Sequence, residues 1–445
     1  MTQAPATSKA LRRRHDREII ALAVPAFGAL VAEPLFVMVD SAVVGHLGTA
    51  QLAGLAVAAS LLMTAVSVFV FLAYATTAAV SRRVGAGDLA AAIRQGMDGI
   101  WLAILLGAAV VALTLPTAPW LVRLFGTSET ATPYAITYLQ ISSIGIPAML
   151  VVFAATGVLR GLQDTRTPLY VAIGGFTANG VLNVVLVYGA GFGIAGSAWG
   201  TVIAQYGMAA VYLIVVVRGA RRHHASLRPH VAGIRASAQA GVPLLVRTLS
   251  LRAVLMIATA VAARLGDSEV AAQQIALSLW SLMAFALDAI AIAGQAIIGR
   301  YLGAGDAEGA RQVCRRMVQW GIASGVVFGV LLVLLRPLFI PLFSDDPAVH
   351  DTLLPALLVI AISQPIAGVV FVLDGVLMGA GDGPYLAWAM LATLAIFTPL
   401  ALLVPTLGGG LTALWWAMTV MMLVRLATLW ARTRSGRWIV IGATR

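Results

Sequence analysis

Long apolar stretches recur along the whole chain and are separated by short polar segments. Each stretch holds about 20 or more mostly apolar residues, the length that an α-helix needs to cross a lipid bilayer. The pattern predicts an all-α integral membrane protein with twelve membrane-spanning helices. Their predicted bounds are 19–44, 53–80, 95–115, 134–157, 168–189, 194–217, 237–262, 270–298, 317–335, 353–378, 385–405 and 411–431.

The second half of the chain repeats the first at a constant offset of 218 residues. Matching positions include Pro25 with Pro243, the segment 85–88 with 303–306, and the segment 157–161 with 375–379. One register kept over this length indicates a duplicated six-helix lobe. Because six is even, both lobes enter the membrane from the same side. This predicts two pseudo-symmetric parallel repeats with the functional site between them.

The repeat also sets the predicted domain division. The N-lobe is expected at 1–217, a cytoplasmic linker at 218–236 and the C-lobe at 237–445. Asp88 and Asp306 close the repeated Gly-Ala-Gly-Asp segment, and each is predicted to cap the helix that follows it.

Composition and charge agree with a membrane protein. Apolar residues make up 60% of the chain and charged residues 11%, against about 25% charged residues in soluble domains. Of the Lys and Arg residues, 23 fall on the side that carries both termini and three on the other side. The positive-inside rule therefore predicts a multi-pass protein of the plasma (inner) membrane with both termini cytoplasmic.

The remaining counts exclude several kinds of site. The net charge of +11 is spread over loops rather than gathered on one surface, so we expect no nucleic-acid partner. A single cysteine, Cys314, excludes an intrachain disulfide and a multi-cysteine metal site. No nucleotide-binding phosphate loop is present, so we expect neither a cofactor nor ATP hydrolysis.

Four acids fall well inside the predicted spans, where an ionised carboxylate costs roughly 3 kcal/mol on insertion scales. They are Glu33, Asp40, Asp288 and Asp374. Their counterparts in the other half are Leu251, Ala258, Val70 and Thr156. The scaffold is thus duplicated while the acids are not, which favours function over architecture. The alternative for each acid is a structural ion pair or an interhelical hydrogen bond.

Arg247 also lies inside a predicted span. A buried guanidinium needs an anion, so we expect Arg247 to pair with Asp288 or Asp374.

Three segments resemble a known family. The segment 39–48 reads Val-Asp-Ser-Ala-Val-Val-Gly-His-Leu-Gly, 286–289 reads Ala-Leu-Asp-Ala, and 373–380 reads Leu-Asp-Gly-Val-Leu-Met-Gly-Ala. With twelve helices in two lobes, the chain resembles the multidrug and toxic compound extrusion (MATE) transporters. The last two segments are similar to those of its DinF (DNA-damage-inducible protein F) branch.

The resemblance implies a secondary active antiporter and not an enzyme. It would export small amphipathic, often cationic compounds in exchange for H⁺ or Na⁺, by alternating access. Its expected partners are these substrates and membrane lipid, and we expect a monomer.

The family's coupling cluster matches five positions of this chain. They are Asp40, Tyr138, Asn179, Asn183 and Thr201. Many members carry Asp where this chain has Asn183, so Asp40 would have to carry the coupling with neutral helpers. The same oxygens suit H⁺ transfer or a bound Na⁺, because hard cations prefer oxygen ligands. Apart from that possible Na⁺, no metal is expected.

Helix 1 contains Pro25 and Pro34, which are predicted as a hinge; a static kink is the alternative. Met and aromatic side chains suit substrates of variable shape. The candidates for the substrate cleft are Phe36, Met38, Met149, Phe153, Met256 and Trp280.

Two other functions remain open at this point. A lipid-linked-precursor flippase shares the two-lobe plan, but a strongly basic central cavity would be expected for it. A channel would be expected to show a symmetric filter, and the sequence offers none.

Overall fold

The computed structural model describes residues 8–343 and 345–444; the side chains of residues 8–11, 33, 35–39 and 342 lie outside this description. The structure is 87% helical, and the residues it describes form no β-strand. The predicted all-α class is therefore confirmed.

The described residues form fourteen α-helices, eight of them before residue 223 and six after it. The first eight are α1 (Ser8–Gly45), α2 (Thr49–Val68), α3 (Phe71–Gly85), α4 (Leu89–Leu124), α5 (Thr132–Ser143), α6 (Ile146–Gly161), α7 (Arg166–Val184) and α8 (Gly193–Arg222). A π-helical turn, Val185–Gly189, extends α7. The last six are α9 (Val231–Leu265), α10 (Asp267–Gly303), α11 (Ala307–Phe343), α12 (Pro347–Gly379), α13 (Gly383–Thr406) and α14 (Leu411–Arg434).

The helix starts reproduce the offset of the sequence repeat. Helices α4 and α11 begin 218 residues apart, and so do α8 and α14. The predicted caps are confirmed as well. Asp88 accepts a hydrogen bond from the backbone N–H of Ala91 at 2.8 Å, and Asp306 accepts one from that of Gly309 at 2.7 Å. Each aspartate satisfies a backbone donor that the first helical turn leaves unpaired.

Close helix crossings are repeated too. At Gly107 of α4, an added Cβ would lie 2.5 Å from the Cα of Pro147; at Gly325 of α11, it would lie 2.7 Å from the Cα of Pro365. The two glycine–proline contacts lie 218 residues apart in the sequence, so they occupy equivalent positions in the two halves. Each glycine allows two helix backbones to approach more closely than any side chain would permit.

Two predicted spans differ from the prediction because their helices are broken. The span 53–80 consists of α2 and α3, which meet at Phe69 and Val70, where the backbone bonds run to the third residue back. The span 134–157 consists of α5 and α6, which are bent by 46°. The break between α5 and α6 lies at Gly145, just before Pro147. Proline has no N–H to donate, and glycine adds backbone freedom.

The corresponding helices of the second half are continuous. In α12, the Ser363 hydroxyl and the Gln364 amide both donate to the carbonyl of Ile360, at 2.8 and 3.4 Å. These side chains supply extra hydrogen bonds directly before Pro365. At the equivalent positions of the first half stand a glycine and an isoleucine, whose side chains have no donor, and the helix breaks.

Ten helices of the described chain are long and apolar enough to cross a membrane, or eleven if the bent pair α5 and α6 counts as one span. One of the ten is formed by α2 and α3 together and has 37 residues. Helix α1 carries the predicted span 19–44 and completes the twelve. The protein is thus a multi-pass membrane protein with two six-helix lobes.

Packing divides the described chain into two compact units. One comprises residues 28–241, and the other comprises residues 8–27 together with 242–444. The predicted lobes differ from these units in two segments. Residues 8–27 pack with the helices of the second half, and the predicted linker 218–236 packs with the first. In the linker, the carbonyl of Leu227 accepts a hydrogen bond from the Trp101 indole on α4 at 3.1 Å.

Accessibility labelling tests the predicted orientation. Cysteine introduced at Ser226 or Ala443, in a Cys314→Ala background, should react only with reagents that reach the cytoplasm. Cysteine introduced at Ser128 should react only from outside. Labelling of position 226 from the outer side would contradict the assignment of both lobes.

Candidate functional site

A carboxylate surrounded by neutral donors lies in the unit formed by residues 28–241. Asp40 on α1 is 8% exposed. Its Oδ1 accepts hydrogen bonds from Ser197 at 2.6 Å and from the Asn183 amide at 2.7 Å, and its Oδ2 accepts one from the Tyr138 hydroxyl at 3.2 Å. Three elements, α5, α7 and α8, thus converge on one side chain of α1.

A second layer of polar groups supports this carboxylate. Asn179 lies one helical turn before Asn183 on α7 and donates to the Thr201 hydroxyl at 3.2 Å. Thr201 lies one turn after Ser197 on α8, and it also interacts with the Tyr138 hydroxyl. The structure therefore brings together all five residues predicted for the coupling cluster. We refer to these five residues and Ser197 as the Asp40 cluster.

The sequence around the cluster allows its close packing. A Cβ on Gly200 of α8 would overlap the side chain of Asn183, so only glycine lets α7 and α8 approach at this point. The π-helical turn after α7 places Tyr188 so that its hydroxyl donates to the carbonyl of Val43 at 2.5 Å. Such turns are often found at functional sites in helices.

An apolar core adjoins the cluster and keeps bulk water away from it. Its buried members are Val44, Leu55, Ala58, Ala118, Val122, Ala135, Tyr138, Leu139, Ile194 and Ala198. Tyr138 belongs to both sets: its ring packs in the core and its hydroxyl reaches Asp40.

Within the described part of the chain, Asp40 forms no ion pair with any arginine, lysine or histidine. Its charge is balanced by hydrogen bonds alone. A buried carboxylate without a counter-cation is costly, and a bound proton or small cation removes that cost.

The other half of the chain has no such cluster. The counterparts of the six residues, at the offset of 218, are Ala258, Ala356, Phe397, Ala401, Trp415 and Thr419. All except Thr419 are apolar and at most 2% exposed. The polar cluster in one half thus corresponds to tightly packed core in the other.

A second buried carboxylate lies in the unit that contains residues 242–444, and it is fully paired. Asp374 on α12 receives two hydrogen bonds from Arg247 on α9, one of them from Nε at 3.1 Å, and one from Arg425 on α14 at 3.1 Å. The predicted partnership of Arg247 with Asp374 is confirmed. Arg425 is a further partner that we did not predict. We call these three residues the arginine triad.

The other predicted residues have the following surroundings. Asp288 is half-buried on α10, and the side chains of Glu33, Phe36 and Met38 lie outside the described residues. Pro25 and Pro34 lie within α1, which is helical through both of them.

Met149 and Phe153 are half-buried and Met256 is 71% exposed. Trp280 is buried, with its ring centroid 6.3 Å from that of Phe371. The cleft assignment stays a prediction.

Two residues of these clusters were missed, for different reasons. Ser197 has a local signal, because it lies four residues before Thr201 and hence on the same helix face. Arg425 has the same signal as Arg247, because it lies inside a predicted span, 411–431, and a buried guanidinium needs an anion. That it shares Asp374 with Arg247 is shown by the packing of α12 against α14. Among the described residues, no group of three or more His, Cys, Asp or Glu side chains is suited to a metal ion.

Comparisons with known proteins agree with this architecture. The family model MatE matches residues 25–188 and 243–403. Protein DETOXIFICATION 44, chloroplastic, of Arabidopsis thaliana is 32% identical over 95% of this chain and 83% of its own length. DNA damage-inducible protein F of Escherichia coli is 29% identical over 95% of this chain and 94% of its own length. A solved structure of a MOP superfamily transporter from Pyrococcus furiosus superposes with a TM-score of 0.85 at 19% identity, covering 97% of this chain and 98% of that one.

The arginine triad predicts an order of stability among single variants. Asp374→Asn leaves two buried guanidinium groups without their shared anion. It should lower the free energy of unfolding by about 3–5 kcal/mol. Arg425→Leu leaves Asp374 paired with Arg247 alone, so it should lower the free energy of unfolding clearly less than Asp374→Asn does. Thermal unfolding in detergent, together with the yield of monodisperse protein, measures both.

Arg252→Leu is the matched control, because Arg252 is an exposed arginine on the same helix as Arg247. It should leave the unfolding midpoint unchanged. An Asp374→Asn variant as stable as Arg425→Leu would show that the carboxylate does not hold the triad together.

Proposed function

The chain belongs to the MATE family of transporters, whose members are not enzymes, and from this we propose that it is a proton-driven antiporter. In this proposal it exports small amphipathic, often cationic compounds across the plasma membrane in exchange for H⁺. The single observation that carries the proposal is the Asp40 cluster: a buried carboxylate with three neutral donors and no paired cation among the described residues.

The contrast with the arginine triad supports this assignment. Asp374 has its charge balanced permanently by two arginines. Asp40 depends on hydrogen bonds from Tyr138, Asn183 and Ser197, so binding a cation changes the net charge of its surroundings. A group that drives transport must gain and lose such a charge during the cycle.

The proposed cycle follows from this change of charge. A proton entering from outside neutralises Asp40 and weakens the three hydrogen bonds, because each is stronger to a charged acceptor than to a neutral one. The elements that converge on Asp40 then rearrange, and substrate is released outward. The proton leaves to the cytoplasm when the carrier has turned inward.

Na⁺ is the second candidate for the coupling ion. The side-chain oxygens Oδ1 of Asn179 and Asn183 are both buried and accept no hydrogen bond from the residues that the structure describes. Together with the Asp40 carboxylate, they provide oxygen ligands of the kind that hard cations prefer.

A hinge in α1 belongs to the same proposal. Pro25 and Pro34 each remove a backbone hydrogen bond from a helix that carries Asp40. We expect α1 to bend there when Asp40 changes its charge.

Replacing Asp40 by Asn tests the coupling directly. The amide keeps the size of the side chain but does not bind a proton or hold a negative charge. Efflux driven by an imposed gradient should therefore be abolished, while the yield and the unfolding midpoint change little. The assay is efflux of a cationic dye from proteoliposomes of matched protein density, with the pH and Na⁺ gradients imposed separately.

Glu129→Gln is the matched control, because it makes the same change of charge at an exposed position of the same unit. It should transport like the parent. Undiminished gradient-driven efflux by Asp40→Asn would place the coupling elsewhere.

Ser197→Ala should separate the two candidate ions. The variant removes a donor that stabilises the charged carboxylate, so a proton should bind more tightly. It also removes an oxygen from the cluster, so Na⁺ should bind more weakly. The measurement is the concentration of H⁺ or Na⁺ that gives half-maximal efflux, compared between the parent and Ser197→Ala. No shift for either ion would mean that Ser197 does not act on the coupling site.

A further inference from the structure

A basic cavity lies apart from both buried clusters, at the first turns of α1. Its volume is about 530 Å³, within the range of ligand sites. The lining residues are Arg13, Arg14, Arg17, Glu18, Ala21 and Arg300. Four arginines therefore face one carboxylate, and Glu18 is already paired with Arg300. Among the described residues, Arg13, Arg14 and Arg17 have no ion pair.

Two ion pairs hold the wall of this cavity to the rest of its unit, which comprises residues 8–27 and 242–444. Asp16 accepts hydrogen bonds from Arg316 at 2.6 and 2.8 Å and from the Trp320 indole at 2.8 Å. The Arg316 guanidinium holds the pKa of Asp16 below its ordinary value, so the carboxylate stays charged. Two residues further along, Glu18 pairs with Arg300 on α10. Each acid of this segment is thus used to fix α1, which leaves three arginines in excess.

The same face of α1 continues from the arginines into exposed apolar residues. Ile20, Val24 and Phe27 are 43%, 62% and 38% exposed. With Arg13 and Arg17 they follow one another at intervals of three or four residues, the spacing of a single helix face. The opposite face is buried, with Ile19, Leu22, Ala23 and Ala26 at most 8% exposed.

We propose that this face of α1 binds an anionic phospholipid of the leaflet at the N-terminal end of the helix. The phosphate lies in the cavity against Arg13, Arg14 and Arg17, and an acyl chain lies along Ile20, Val24 and Phe27. The position is suitable, because Arg17 lies two residues before the predicted start of the membrane span at residue 19, where lipid headgroups lie. Anionic headgroups are attracted to arginine clusters at this depth.

The apolar continuation favours a lipid over a soluble phosphate compound. Ile20, Val24 and Phe27 fall within the predicted span 19–44, where acyl chains lie, so one phospholipid can contact both the arginines and the stripe, whereas a free anion contacts the arginines alone. Arginines three or four residues apart on one helix repel each other, and a bound phosphate removes that repulsion. The duplicated half keeps only one of the three arginines: the counterparts of Arg13 and Arg14 are Val231 and Ala232, and that of Arg17 is Arg235.

The test measures lipid retention by the purified full-length protein. Delipidated protein in detergent is titrated with phosphatidylglycerol or phosphatidylethanolamine, and bound lipid is counted by native mass spectrometry. The parent should bind phosphatidylglycerol about tenfold or more tightly than phosphatidylethanolamine. The triple variant R13A/R14A/R17A should lose this preference.

The matched control is R218A/R221A/R222A, which removes three exposed arginines at the end of α8. It should keep the preference. If both triple variants lost the preference for phosphatidylglycerol equally, the preference would be a general effect of positive charge, and the proposed site would be wrong. Competition by sn-glycerol 1-phosphate at concentrations similar to those of the lipid would show a soluble-anion site instead.

Val24→Ser tests the acyl-chain part without changing any charge, and it serves where the triple variant does not fold. It should weaken the binding of phosphatidylglycerol several-fold and leave the binding of glycerol phosphate unchanged. Unchanged lipid affinity in Val24→Ser would overturn the placement of the acyl chain along α1.

Discussion

A carboxylate that leaves water for the membrane interior must have its charge balanced, and this chain does so in two ways. Asp374 is balanced by two arginines, Arg247 and Arg425, which remain charged at every physiological pH. Asp40 is balanced by hydroxyl and amide donors that carry no charge. The first arrangement is permanent, because none of its members readily gives up its charge. The second is stable only while the donors stay in place or a cation joins them, which makes it responsive to the ions outside.

The duplication provides an internal reference for separating scaffold from function. Both halves keep the glycine–proline crossings at Gly107 and Gly325 and the helix caps at Asp88 and Asp306, because the packing of six helices requires them. The two buried carboxylate clusters are not repeated: the counterparts of the Asp40 cluster are mostly core residues, and the counterpart of Asp374 is Thr156. The broken helices occur in the half that contains the Asp40 cluster. Irregular backbone in a membrane helix is tolerated chiefly where it serves a cavity or a moving part.

Most of the architecture was predictable because it depends on local patterns. Apolar length gave the spans, and the repeat gave six helices per lobe. The breaks were not predictable in the same way. Pro147 and Pro365 occupy equivalent positions, yet only the first lies at a break, and the difference arises from neighbouring side chains. In the site, Asp40 stands out as an unrepeated acid in a span. Arg425 lies in a predicted span like Arg247, but the sequence does not indicate that one carboxylate serves two arginines, which depends on α9 and α14 both packing beside Asp374.

Helix α1 connects these features, since residues 8–27 pack in one unit and its later residues in the other. Its first turns are held by the pairs of Asp16 with Arg316 and of Glu18 with Arg300, and its last turns carry Asp40. Both pairs are partly exposed, and such pairs contribute only about 0–1 kcal/mol each. Asp40 is buried, and each of its three hydrogen bonds runs to a charged acceptor and is worth about 1.5–3 kcal/mol. The two ends of α1 are thus held by interactions of different strength, weaker ones beside the proposed lipid site and stronger ones at the carboxylate.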